Sequence, residues 1–100
     1  MAKSAAPTDW LSGYSNGVAS SFTITASGLG LANADIDAAT GDIRKIMAAI
    51  CTKLQQHHDG LATADKLTTF VPTHAATGTT TLYTFSITAA PNTFTIGSVA

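Results

Sequence analysis

The chain contains no glutamate and a single cysteine, and only 11% of its 100 residues are charged. An ordinary soluble domain carries about 25%. Each shortage excludes something. One cysteine, Cys51, allows no internal disulfide. Five basic residues scattered among six acidic ones, for a net charge of −1, cannot build the basic face that displaces counterions from phosphates. Nucleic acid is therefore not an expected partner. The longest strictly apolar run, Ile46 to Cys51, is far short of the roughly 20 residues that span a bilayer, so no membrane partner is expected either. Residues Met1 to Trp10 hold one lysine and no apolar stretch, which reads as the lack of a secretory signal and as assembly in a cytoplasm.

What is present is apolar and small. The hydrophobic fraction is 45% and the mean hydropathy +0.23. A chain so short of solvating charge, yet without a membrane segment, is expected to have part of its surface covered by another protein. The competing explanation is a neutral monomer kept soluble by its many Thr, Ser and Asn residues.

The expected organisation is a single domain over residues 1–100. Residues 1–19 are small and polar, with Pro7, Gly13 and Gly17, and read as an irregular arm anchored by Trp10, Leu11 and Tyr14. Such an anchor serves equally to reach a neighbouring subunit or to pack the arm on its own domain. Residues 20–27 alternate Phe22, Ile24 and Ala26 with Ser21, Thr23 and Thr25, the period of two of a half-buried strand.

The strongest signal lies in residues 35–59. Ile36, Ala39, Ile43, Ile46, Ile50, Leu54 and Leu61 recur at spacings of three, four and seven, with Met47 and Ala49 widening the stripe, which is helical periodicity. Asp35, Asp37 and Asp42 come early, where carboxylates suit the positive end of the helix dipole. Lys53, His57 and His58 come late, and Gly60 reads as the C′ stop. Gly41 is the weak point, since glycine costs about 1 kcal/mol in a helix interior, and a start near Thr40 is the alternative. The full span would be roughly 37 Å long, more than a domain this small readily covers.

Residues 67–99 read as antiparallel strands over 67–73, 79–89 and 93–99, with turns at His74–Gly78 and Ala90–Asn92. Pro72 ends the first strand, and Tyr83, Phe85 and Ile87 form the inner face of the second. The expected fold is α+β: one central helix packed on a small antiparallel sheet of about four strands.

The residues offer little chemistry. His57 and His58 are adjacent and point about 100° apart on a helix, so they are a poor pair for one metal. Cys51, Asp59 and the distant His74 do not complete a ligand set. No metal, cofactor or catalytic residue is assigned. His57 does continue the apolar stripe, seven residues after Ile50. Around a symmetry axis, copies of His57 would face one another and bind an ion or titrate together; the plainer role is a histidine beside the C-terminal end of the helix dipole. The serines lack a nucleophile-elbow pattern, the carboxylate pairs Asp35/Asp37 and Asp59/Asp65 suit capping, and Gly28-Leu29-Gly30 lacks the lysine and third glycine of a phosphate loop. The Thr-rich strands carry no charge to guard a sheet edge, which suits strand addition by a neighbour.

Several stretches together resemble small structural proteins of tailed bacteriophages: Gly41-Asp-Ile-Arg-Lys-Ile-Met47 running on through Lys53-Leu54, Leu61-Ala-Thr-Ala-Asp-Lys66, Ala76-Thr-Gly78 and Leu82-Tyr-Thr-Phe85. The resemblance covers about residues 41–88. It implies a virion component, either a capsid decoration (cement) protein or a minor head or tail protein, assembled in the cytoplasm of a bacterial host. Its partners would be copies of itself, as a homotrimer or another cyclic oligomer, and a larger virion protein such as a major capsid protein. Ile43, Ile46, Ile50, Leu54 and His57 are the expected oligomer interface, with Trp10, Leu11 and Tyr14 as arm contacts. The alternative is a ligand- or glycan-binding module using Trp10, Tyr14 and Tyr83 over Thr-rich strands. Replacing Ile46 or Ile50 by Asp is expected to block self-association, seen as a fall to the monomer mass in light scattering.

Overall fold

A computed structural model describes residues 5–90 and 94. The fold is α+β: the described residues form one long helix, two one-ladder antiparallel sheets and three short 3-10 turns, besides a single-turn helix. In chain order the regular elements are α1 (Pro7–Trp10), β1 (Tyr14–Ser15), β2 (Thr23–Ile24), α2 (Ile43–Gly60), β3 (Phe70–Thr77) and β4 (Thr80–Ile87). The described residues hold four strands, but β1 lies in the expected arm, and the four pair as β1–β2 and β3–β4 rather than as one sheet. The expected strand at 93–99 lies outside the described residues.

The arm is less irregular than its composition suggests. Proline at the first helical position has no N–H to waste and a helical φ already set, and Pro7 opens the single turn α1 in this way, with the Leu11 amide donating back to Pro7 O. The arm then returns as β1 and pairs with β2. β2 is much shorter than the alternation over 20–27 implies. Ser20 adopts a left-handed φ of 63°, and Ser27–Leu29 turns as a 3-10 helix that ends on left-handed Gly30.

The helix begins at Ile43, not at residue 35, and its 18 residues make it about 27 Å long. Three carboxylates explain the late start. Asp35 accepts from the Ala32 amide and Asp37 from those of Ala39 and Thr40. These local bonds offer the backbone a substitute for helical ones, so Asn33–Ile36 is a 3-10 turn and residues 37–41 bend. Asp42 then caps α2: one oxygen accepts the Arg44 amide at 2.9 Å, and the carboxylate also holds the Arg44 guanidinium at 2.7 Å. The Arg44 guanidinium and amide together bring the Asp42 pKa down to about 2. Gly41 stands where the bend folds back on itself. A Cβ there would meet the Asp35 carbonyl oxygen at 2.5 Å and that of Asp37 at 2.7 Å.

At the other end Gly60 is the last residue of α2, not a left-handed stop beyond it. The chain leaves through Leu61 in an extended conformation (φ −81°, ψ 148°). Left-handed geometry instead falls at Gly78 (φ 61°), the first residue of the two-residue turn between β3 and β4, where glycine carries no Cβ penalty.

Pro72 lies inside β3 rather than ending it, and residues 74–77, expected in a loop, continue the strand. The register explains the tolerance. The Thr88 amide donates to Thr69 O, and Thr77 faces Thr80 across the turn. Hydrogen-bonded pairs alternate with unbonded ones in an antiparallel ladder, so Pro72 and Phe85 form an unbonded pair. The N–H that proline lacks would have pointed away from β4.

Two outcomes check this account. Gly41→Ala is expected to destabilise the fold by about 1–3 kcal/mol, while Gly60→Ala, which meets nothing within 4 Å, is expected to be neutral or stabilising by about 0.4–1 kcal/mol; urea unfolding of the two variants separates them. Asp42 has a folded pKa of about 2, below its ordinary 3.8. Its cap is therefore complete above the ordinary value and is lost as pH falls through the folded one. The Arg44 amide resonance should titrate with a midpoint near pH 2 rather than near 4.

Candidate functional site

Alternation along β3 and β4 places Phe70, Pro72 and His74 on the face toward α2, and opposite them Ile87, Phe85 and Tyr83. Contacts agree. Pro72 is fully buried, Phe85 is half-buried, and His74 hydrogen-bonds with Gln55 of the helix. The Cys51 thiol lies over the paired residues Thr73 and Thr84, 3.5 and 3.8 Å from their carbonyl oxygens. Burial pushes the thiol pKa up, so Cys51 is a packing residue and a weak nucleophile.

The arm closes one end of this seam. Trp10 is 6% exposed. Its ring lies 4.6 Å from that of His57, 6.4 Å from that of His58 and 5.1 Å from that of Phe70, centroid to centroid. Of the two alternatives for the arm, packing on its own domain is what Trp10 does. His57 is thereby held by its own tryptophan, with its Nε2 buried and without a hydrogen-bond partner. His58, buried, sets Nδ1 3.4 Å from Asp59 Oδ1.

The other end of the seam is open. At 100° per residue, the closed face of α2 is Cys51, Leu54 and His58, rotated by roughly 70° from the centre of the Ile43–Ile46–Ile50–Leu54–His57 stripe. Of that stripe only Leu54 is buried. Ile46, Ile50 and His57 are half-buried on its flank, and Ile43 is 67% exposed. Met47, on the line of Leu54, is 44% exposed. Ile36, expected on the stripe, lies in the 3-10 turn and is exposed. Lys45 and Arg44, the nearest cations, are each paired within the chain, with Asp35 and Asp42. The structure therefore brings together His57 and Trp10, and leaves Ile43 and Met47 as an uncovered apolar strip. The arm contacts Leu11 and Tyr14 are half-buried, with Tyr14 stacked on Phe22 at 5.4 Å.

The place of Cys51 inside an apolar helical run implies a buried thiol, which it is, but sequence reasoning left Cys51 off the stripe and missed His58 as a seam residue. The signal was there, since with Leu54 they have the spacing of three and four. It was masked because isoleucine outranks cysteine and histidine as an expected core residue.

An open depression of about 250 Å³ lies beside the β1–β2 loop, lined by Ser15, Gly17, Val18, Ser21, Phe22 and Thr23. Its lining holds no acid, base or thiol. Among the described residues no three His, Cys, Asp or Glu side chains gather to hold a metal, and no helix is long and apolar enough to cross a membrane. Trp10, Tyr14 and Tyr83, the alternative ligand-binding set, lie in three separate ring clusters, Tyr83 with His74 at 5.7 Å, and Trp10 is buried. No family model, curated protein or solved structure matches the chain.

Replacing Trp10 by Ala is expected to cost about 3–5 kcal/mol, because it uncovers His57, His58 and Phe70 together. Denaturant unfolding followed by circular dichroism measures it, and Leu11→Ala is the milder control.

Proposed function

We propose that this chain is a non-enzymatic structural subunit of a bacteriophage particle, a capsid decoration (cement) protein or minor virion protein, that acts by associating with copies of itself and with a larger virion protein. The supporting observation is the helix seam, closed at Cys51, Leu54 and His58 and open at Ile43 and Met47. An apolar stripe whose second half is packed and whose first half faces water needs a partner to complete it.

Charge is no obstacle, because the cations beside the strip are neutralised within the chain. A homotrimer or another cyclic oligomer places one such strip against the next. The virion assignment comes from the resemblance over residues 41–88 and from scarce charge, which suits a chain that works covered by neighbours.

Native mass spectrometry is expected to find an oligomer. Ile43→Asp and Met47→Asp should each raise its dissociation constant at least about tenfold without lowering monomer stability, since both side chains already face solvent and a buried aliphatic contact is worth roughly 1.5–3 kcal/mol. Co-sedimentation of the tagged chain with assembled capsids tests the particle assignment; a monomer that ignores capsids would overturn it.

A further inference from the structure

We infer that the outer edge of β4 is a docking edge for β4 of a second copy, joining two hairpins into one four-stranded antiparallel sheet across a two-fold axis. This rests on the self-association proposed above, and it names a contact separate from the α2 strip.

The register carries the argument. Because Thr77 and Thr80 close the turn and the Thr88 amide donates to Thr69, the N–H and C=O groups of Thr81, Tyr83, Phe85 and Ile87 point away from β3. No described strand pairs with them. A lone two-stranded hairpin is marginal in water, and an exposed row of donors and acceptors is a template for another strand. The opposite edge is unsuited. β3 lacks a donor there at Pro72, and α2 packs chiefly on β3. β4, Thr-Thr-Leu-Tyr-Thr-Phe-Ser-Ile, has neither proline nor charge to bar a neighbour.

The occupant is a second β4 because the strand is self-complementary in one register. With Thr84 opposite Thr84 of the second copy, Tyr83 faces Phe85 and Thr81 faces Ile87, each pair exchanging both backbone bonds. Tyr83, 40% exposed in one copy, then gains Phe85 as its cross-strand neighbour, an aromatic pair of the favoured kind, and Ile87, 62% exposed, is covered by Thr81. The two threonines on the axis are an unbonded pair, the kind in which side chains approach most closely.

Cross-linking tests this in the full chain. Thr84→Cys is expected to oxidise to a covalent dimer, since Cβ atoms at such a pair suit a disulfide, and Ser86→Cys, facing Leu82, is not. Thr84→Lys, which leaves the hairpin's own ladder untouched, should weaken this contact at least about tenfold by setting like charges face to face. In the unmodified oligomer the amides of Tyr83 and Phe85 should exchange at least about a hundredfold more slowly than in a dissociated sample. An oligomer in which Thr84→Cys fails to cross-link and those amides exchange freely overturns the edge and leaves the α2 strip standing. A monomer at all concentrations overturns both. Slow exchange of those amides in a monomer means the edge is covered within one copy, which also overturns the inference.

Discussion

Cys51, Leu54 and His58 lie closed between the helix and the hairpin, and Trp10 seals that contact from the end. This one short seam organises the rest of the chain. The arm is ordered because its tryptophan completes the seam beyond His57 and His58. The hairpin is placed because Pro72 and the Thr73–Thr84 pair lie under Leu54 and Cys51's stretch of helix. Leu29 adds one more buried side chain from the loop that contacts α2. Among the described residues the interior contains little else.

An interior this small leaves two kinds of surface unfinished, for different physical reasons. The front of α2 is unfinished because a helix advances about 1.5 Å per residue and its apolar face runs on for about two turns from Cys51, the first of its buried residues, past half-buried Ile50 and Ile46 to exposed Met47 and Ile43. Among the described residues the outer edge of β4 is unpaired, and a strand satisfies only half of its backbone groups with one neighbour. The first lack is of apolar contact and the second of hydrogen bonds. The proposed assembly supplies both with further copies of the same chain, and the scarcity of charge lets like surfaces meet without repulsion.

The helix start shows how local polar chemistry overrules periodicity. Ile36 and Ala39 fit the spacing of the stripe, yet Asp35 and Asp37 bind nearby amides and Gly41 folds the chain against their carbonyls. The helix that remains is about a quarter shorter than its apolar pattern. Pro72 shows the opposite case. A residue that normally stops a strand is accepted because it falls where β3 turns its amides outward, and there it also protects that edge.

Much was legible in the order of the residues: the α+β class, a central helix ending near Gly60, a Gly78 turn between two strands, and an arm anchored by Trp10. These follow from interactions between residues close in sequence, or from a face that must be apolar whatever covers it. Which face of α2 is closed, and where the arm's tryptophan goes, were decided by the tertiary structure. A stripe of isoleucines says that a helix has an apolar side; the seam turned toward Cys51 and His58 because Pro72, Phe70 and Trp10 together make a surface that those smaller or flatter side chains fit, and complementarity between distant segments is not written in the spacing of either one.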